Sequence, residues 1–361
     1  METILELKLE TPLVTTYLDP DWPLRPHEVW RLWRWWARAL AAGTLYDRGF
    51  LRGAEQKNVV KLPTREEAEC ILKIVEKEMG LSLGSCFRIN LEKVEFGPPW
   101  EVTPGFVTQY GIQRRSQGGE KLWYINRGSA TLVVAEEYTC SLDKKAIEAA
   151  MGALALAVRL SCFGRGGRRG LGCFSIRAHG RYRELFEEEP KALIRRAADA
   201  AGAVVDRSRC RGLPRGETSP CGLPPVPALS AAHRYDACVK NLIPYMLISV
   251  KKMRQEDLYS FWQRTRCYDY INEKEALKTW IIGSVSGRPS PLMLKISGNT
   301  AYLNAFASAD WPREMKIGWQ KIQIRETDIS TTMVHILTEF VNYVEKRGGE
   351  ATVWPKSGRE I

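Results

Sequence analysis

Two stretches of this 361-residue chain carry side chains whose types and spacing suit the grip of a polyanion. The first runs Leu24-Arg25-Pro26-His27-Glu28-Val29-Trp30-Arg31-Leu32-Trp33-Arg34-Trp35-Trp36-Ala37-Arg38-Ala39-Leu40. Laid out at about 100° per residue, Arg31, Arg34 and Arg38 fall in one stripe with Trp35 at its edge. Val29, Trp30, Leu32, Trp33, Trp36, Ala37 and Leu40 fall on a broad opposite face. An apolar face at helical spacing is normally core, so Trp30, Trp33 and Trp36 are expected to be buried. The guanidinium stripe shares its face with no acid except Glu28, and is expected to meet phosphates, with Trp35 beside it as a surface for a base or sugar. Arg25, at the helix entry, joins this set.

The second stretch is Gly164-Arg165-Gly166-Gly167-Arg168-Arg169-Gly170-Leu171-Gly172. Glycine lets the backbone approach a ligand closely, adopt positive φ and turn amide N–H groups toward an anion. The arginines at 165, 168 and 169 add bidentate phosphate contacts. Gly164, Arg165, Gly166, Gly167, Arg168, Arg169 and Gly170 are therefore candidate phosphate-contact residues. Arg288 and Lys295, at a later strand entry, are added to them, and Arg114, Arg115 and Lys121 are weaker candidates. A P-loop is excluded because no GxxxxGK string followed by Ser or Thr is present. A dinucleotide fingerprint is disfavoured because this loop follows a helix and enters a strand, with Arg169 where the third glycine should stand. No cofactor is expected. Against these readings stand a solvated basic helix face and a glycine turn with incidental charge.

The elements that must position these residues are read from periodicity. A strand is expected at Ile4 to Leu9, a helix from Pro26 through Leu40 with Gly43 as its stop, and a helix from Thr64 to Met79 with Thr64-Arg65-Glu66-Glu67 as its capping box. Strands follow at 86–96, 103–113 and 122–136, then an alanine-rich helix from Lys144 to Leu160 capped by Asp143 and a strand from Cys173 to Ala178. This order is that of a ferredoxin-like or RRM-like unit. Residues 205–232, rich in Arg, Gly, Pro and Ser, are expected to bury little and to act as a linker. Beyond them a second unit is expected, with helices at 255–262 and 273–281, strands at 292–297 and 301–305, and a closing helix at 330–346. The fold class is thus α+β, with domains at 1–204 and 233–361 joined by 205–232. No internal sequence repeat is visible.

Composition sets the outer bounds. Hydrophobic residues at 44% and charged residues at 26% are ordinary for a globular protein. There is no long uncharged apolar run and no secretory-type opening, so a cytoplasmic protein without a membrane partner is expected. The formal net charge of +11 points to a polyanionic partner. Nine cysteines, odd in number and without a CxxC pair, indicate neither a disulfide framework nor a zinc ribbon, and most are expected to be buried thiols. Cys210, Cys221, Cys238 and His233 lack ligand-like spacing.

The helix and the loop together resemble the RAMP superfamily of CRISPR proteins, whose members carry a glycine-rich loop in an RRM-like fold. One branch is more similar. The segment Thr11 to Thr15 (TPLVT), then Leu24-Arg25-Pro26 leading into Arg34-Trp35-Trp36-Ala37-Arg38-Ala39-Leu40, and finally Gly287-Arg288-Pro289-Ser290-Pro291-Leu292-Met293-Leu294-Lys295, resemble the tail-capping RAMP subunit of type III-B (Cmr) effector complexes. The resemblance implies two ferredoxin-like units packed together with helical insertions. It also implies contact with guide RNA or target single-stranded RNA near the guide 3′ end, other RAMP subunits as partners, and no catalysis. Backbone contacts suit a subunit that serves many guide sequences.

The rival expectation is a RAMP endoribonuclease processing precursor guide RNA, with His27 and His179 as the acid–base pair. A metal-dependent variant would draw on Asp19, Asp21 and Asp47, although aspartates beside prolines normally make turns. A general basic nucleic-acid binder is the third reading.

Overall fold

In the computed structural model, the described residues are 2–15, 23–82, 86–110, 121–138, 140–208, 210, 213, 222–231, 244–264, 273–282, 284–285, 288–317 and 320–355. The alternation of Glu2–Leu9 (β1) sends Leu5, Leu7 and Leu9 inward and leaves Glu6 and Lys8 exposed. It is followed by β2 (Leu13–Thr15), α1 (Pro26–Asp47), α2 (Arg65–Lys73) with a π-helical turn at Ile74–Glu78, β3 (Phe87–Phe96), β4 (Trp100–Glu101), α3 (Pro104–Tyr110), β5 (Trp123–Ile125) and β6 (Gly128–Glu136). The first unit closes with α4 (Lys144–Leu160), β7 (Phe174–Gly180), α5 (Arg183–Glu187) and α6 (Pro190–Ser208). The second contains β8 (Tyr245–Lys251), α7 (Gln255–Arg264), α8 (Glu273–Ile282), β9 (Ser284–Val285), β10 (Arg288–Pro289), β11 (Leu292–Ser297), β12 (Thr300–Phe306), β13 (Glu314–Ile317), β14 (Gln320–Gln323), α9 (Glu326–Lys346) and β15 (Glu350–Trp354).

Each unit is built on a four-stranded antiparallel sheet, ordered β3-β6-β1-β7 in the first and β11-β12-β8-β15 in the second. In both, the strand that opens the unit lies between the third and the fourth, so the two halves share an element order that no sequence repeat announces. The second sheet is covered on both faces. Leu247, Met293 and Phe306 join the core of the first unit, whereas Met246, Ile248, Leu292 and Leu294 pack with α7, α8 and α9. The layers therefore run sheet, helices, sheet, helices, and α1 and α4 lie in the middle. Among the described residues, the outer face of the first sheet is the one left uncovered. Its cross-strand rows carry Glu6, Lys8, Glu92, Thr131 and Arg177, with no aromatic among the described residues that could stack a base in the RRM manner.

Several expectations need correcting. Helix α1 runs four residues past Gly43, because Leu229 O sits 1.9 Å from where a Cβ at that position would lie: the glycine is there for close approach, not as a stop. Residues 104–110 are helix where a strand was expected, and 111–113 lie outside the described residues. The expected linker begins inside α6, and residues 222–231 pack closely on α1: Leu223, Ala228 and Leu229 are buried and Leu229 N–H donates to Ala39 O at 2.8 Å. The remaining linker positions 209, 211–212, 214–221 and 232 lie outside the described residues. Most consequentially, six cysteines pair as Cys70–Cys210, Cys86–Cys140 and Cys162–Cys173. Partners 140, 54 and 11 residues apart are brought together only by packing, so spacing could not show them. With Cys70 bonded to it, Cys210 is not available to a metal, and Cys221, His233 and Cys238 lie outside the described residues.

Candidate nucleic-acid interface

Helix α1 begins with Pro26 at its first position, where a missing N–H costs nothing, and Glu28 accepts from Arg25 N–H at 3.3 Å. Burial outweighs its basic neighbours and raises the Glu28 carboxyl above its ordinary value. Trp33 and Trp36 are fully buried, as expected, and anchor the helix by donating indole N–H groups to Ala150 O and Ser161 Oγ, both at 2.7 Å. Trp30 is only partly buried. Trp35 differs from its expected role. Its ring packs edge-on against Phe306 of the second unit, centroids 5.1 Å apart, and the Arg168 guanidinium lies over it at 5.3 Å. It is a wedge between helix, loop and second sheet rather than an open platform.

The glycine-rich loop is held from three sides. Gly164, Gly166, Gly170 and Gly172 all take positive φ, and a Cβ at Gly172 would lie 2.1 Å from Phe163 O. Arg165 N–H donates to Val14 O at 2.9 Å and Gly172 N–H to Pro12 O at 2.8 Å, which extends the β2 edge into the loop. From the second unit, Leu294 N–H donates to Arg168 O at 2.9 Å and Tyr259 Oη to Gly170 O at 2.8 Å. The Arg168 guanidinium donates to Ser290 O, and the Ser290 hydroxyl in turn bonds Ile281 O and Leu292 N–H. The backbone N–H groups of Arg165, Gly167, Arg169, Gly170, Leu171 and Gly172 are thus all donated within the protein. An amide cradle for phosphate at those positions, expected from the glycines, is not what they form. Their freedom serves tight packing, and anion contact falls to side chains.

Three short motifs 120 or more residues apart therefore meet at one place: the Arg-Trp-Trp helix, the glycine loop and the Ser290-Pro291-Leu292 entry to β11. Around it the expected cations divide. Arg31, Arg38 and Arg165 are exposed, and none forms a salt bridge among the described residues. Arg34 is ion-paired with Glu76 of the π-helical turn. Although Arg38 is exposed overall, partial dehydration of its guanidinium first, and the neighbouring Arg34 second, lower it below its ordinary value, while Glu76 acts in the opposite sense. At about 100° per residue, Trp35 with Arg168 flanks the Arg31–Arg38 line on one side and Arg34 with Glu76 on the other. Arg168 and Arg169 are half-buried, Arg169 in a bridge to Leu294. Arg25 is likewise partly buried, and Arg288 lies within β10.

Lys295 corrects its expected role outright. It is 1% exposed and donates to Val158 O at 3.0 Å and Phe174 O at 2.8 Å. Val158 lies in the last turn of α4, whose final carbonyls lack helical partners. Asn304 Nδ2 caps Leu160 O in the same way at 2.9 Å, so the second unit terminates the first unit's central helix just where the glycine loop begins. Burial lowers the Lys295 ammonium to about 7. Sequence reasoning missed this because a lysine in LMLKIS reads as an outward strand residue, whereas this sheet has no outward face.

The histidines do not converge on the loop. His27 is exposed on α1. His179 pairs in register with Ile4 on the outer face of the first sheet, its Nε2 3.2 Å from Glu6. It lies five residues along β7 from Phe174, roughly 17 Å from the loop. Asp47 accepts from Ser230 and from Ala231 N–H, and Lys121 pairs with Glu101. Asp19, Asp21, Arg114 and Arg115 lie outside the described residues. Among the described residues no three His, Cys, Asp or Glu side chains cluster as metal ligands, and no helix is long and apolar enough to cross a membrane.

No protein-family model matches the chain, and no curated protein matches its sequence. Solved structures do match. The crystal structure of apo Cmr1 from Pyrococcus furiosus superposes with a TM-score of 0.53 at 16% identity, covering 97% of this chain and 98% of that one. A chain of the type III-B Cmr-beta complex bound to cognate target RNA and AMPPnP, in the presence of single-stranded DNA, gives 0.50 at 12% identity, covering 94% and 99%. The chain thus has a Cmr1-like fold along nearly its whole length, and the resemblance read from its short motifs holds at the level of the fold.

Proposed function

We propose that this chain is an RNA-binding, non-catalytic subunit of a type III-B (Cmr) CRISPR ribonucleoprotein, holding the sugar-phosphate backbone of guide or target RNA through Arg31, Arg38 and Arg165. The shared order of the two four-stranded sheets supports reading both units as ferredoxin-like. The observation that carries the proposal is the cation–π contact of Arg168 with Trp35, which joins the two basic stretches into one surface. Backbone readout follows from the chemistry. The unpaired groups are guanidinium ions, and the aromatic that would read bases is wedged under Arg168.

The test is fluorescence anisotropy with three single-stranded RNAs of unrelated sequence. Combined replacement Arg31→Ala, Arg38→Ala and Arg165→Ala is expected to weaken all three about equally. The slope of log affinity against log salt should fall by about 2, at roughly 0.7 per lost phosphate contact on a single strand. A loss confined to one sequence, or an unchanged slope, refutes it. The nuclease reading makes the opposite prediction: purified protein in EDTA would cleave repeat RNA and His27→Ala would abolish the cleavage. The proposed function predicts no cleavage by either protein.

A further inference from the structure

We infer that Cys162 and Cys173 form a redox catch on the glycine-rich loop, oxidised when the loop is set for RNA and opened by a dithiol reductant. The inference rests on the function proposed above and adds a means of regulating it. Cys162 and Cys173 stand immediately outside the Phe163–Gly172 pair that closes the neck of the loop, with Cα atoms 4.2 Å apart. Their bond therefore fastens the base from which Arg165 and Arg168 project.

Two observations separate this pair from a structural staple. Each sulfur has a hydrogen-bond partner for its reduced form: Cys162 Sγ lies 3.4 Å from Leu294 O and Cys173 Sγ 3.4 Å from Gly170 O, both placed to accept a thiol proton. Ile296 N–H also points at Cys173 Sγ, at 3.3 Å, in either state. The neck keeps other ties without the disulfide, through Phe163 N–H to Gly172 O at 2.8 Å and Cys173 N–H to Thr11 Oγ1 at 2.8 Å. Reduction thus leaves no buried polar group orphaned and the fold closed. By contrast, Cys70–Cys210 and Cys86–Cys140 span 140 and 54 residues and constrain the unfolded chain far more than an 11-residue link does.

The chemistry balances as ordinary exchange. A thiolate of the dithiol attacks Cys162 Sγ, Cys162 being the slightly more exposed residue of the two at 6% against 0%. The S–S bond breaks and Cys173 leaves as thiolate, which takes a proton and donates to Gly170 O. The second thiol of the reductant resolves the mixed disulfide, releasing Cys162 as a thiol. Two electrons pass from the dithiol, which ends as its own disulfide. Freed of the link, the neck is held by its hydrogen bonds alone and the Arg165 and Arg168 side chains are less firmly preorganised for RNA, so affinity falls.

The experiment compares protein purified without reductant with the same protein after dithiothreitol, by anisotropy with fluorescein-labelled single-stranded RNA. In parallel, the rate of tryptic cleavage after the exposed Arg165 is followed without RNA. The dissociation constant is expected to rise on the order of threefold to tenfold on reduction, as one or two side chains lose their preorganisation, and cleavage at Arg165 to accelerate. The double variant Cys162→Ser, Cys173→Ser should behave as reduced protein throughout. Cys70→Ser, Cys210→Ser should keep the response. Equal affinity and equal cleavage in both redox states overturn the inference while leaving the proposed function standing. Absence of RNA binding in the oxidised protein overturns both. Mass spectrometry of alkylated peptides showing Cys162 and Cys173 free before reductant is added also overturns it.

Discussion

Replacing Lys295 with Met separates the roles that sequence and structure give this residue. In the folded protein its ammonium is dehydrated, and burial lowers it from 10.5 to about 7. Glu10 acts in the opposite sense, and the like charge of Arg159 adds to the lowering. Since the unfolded chain then binds the proton more tightly than the folded one, stability from this site is fully present above the unfolded value and is lost as pH falls toward 7. At about 1.4 kcal/mol per unit, the wild-type protein should gain about 2 kcal/mol between pH 7 and pH 9 from Lys295 alone. Lys295→Met has no such proton and should lack that gain. It should also be less stable than wild type at pH 9 by about 1–3 kcal/mol, because Val158 O and Phe174 O lose their donor in a dry interior. Urea unfolding at pH 7, 8 and 9 reads both effects. The salt slope of RNA binding should not change, since the residue meets no phosphate. A pH dependence equal in the two proteins would refute the reasoning. It would mean that the C-terminal end of α4 holds the ammonium charged against dehydration.

Glu76→Gln is expected to tighten RNA binding and steepen its salt slope by about 0.7, because it releases the Arg34 guanidinium beside Arg38. An unchanged slope in anisotropy titrations would place Arg34 outside the RNA path. Gly172→Ala, at φ 70° with Phe163 O where the methyl would sit, should cost more than about 2 kcal/mol in urea unfolding. Wild-type stability would show that the loop is not packed as described.

Much of the fold was legible because local patterns carry local physics. The capping box Thr64–Glu67, the Asp143 cap of α4 and the bounds of α4 and β11 stand where the sequence puts them. Helix α6 escaped notice although its buried residues recur at helical spacing, whereas strands β8 and β15 are short runs that give no distinctive period. In the candidate interface, residue types were legible but their freedom was not. Arg34, Arg168 and Lys295 look alike as basic residues near motifs. One is ion-paired, one is bound to Ser290 O and Trp35, and one caps a buried helix end.

The sequence by itself determined the α+β order, the amphipathic split of α1 and a basic character that calls for a polyanion, because periodicity, caps and net charge act over a few residues or over the whole chain regardless of shape. Only the tertiary structure decided which arginines remain free, which cysteines pair and why the loop is rich in glycine. Those outcomes depend on atoms from other elements, in several cases more than 100 residues away, arriving within a few ångströms. There, dehydration and close packing, rather than residue type, fix what each side chain can do.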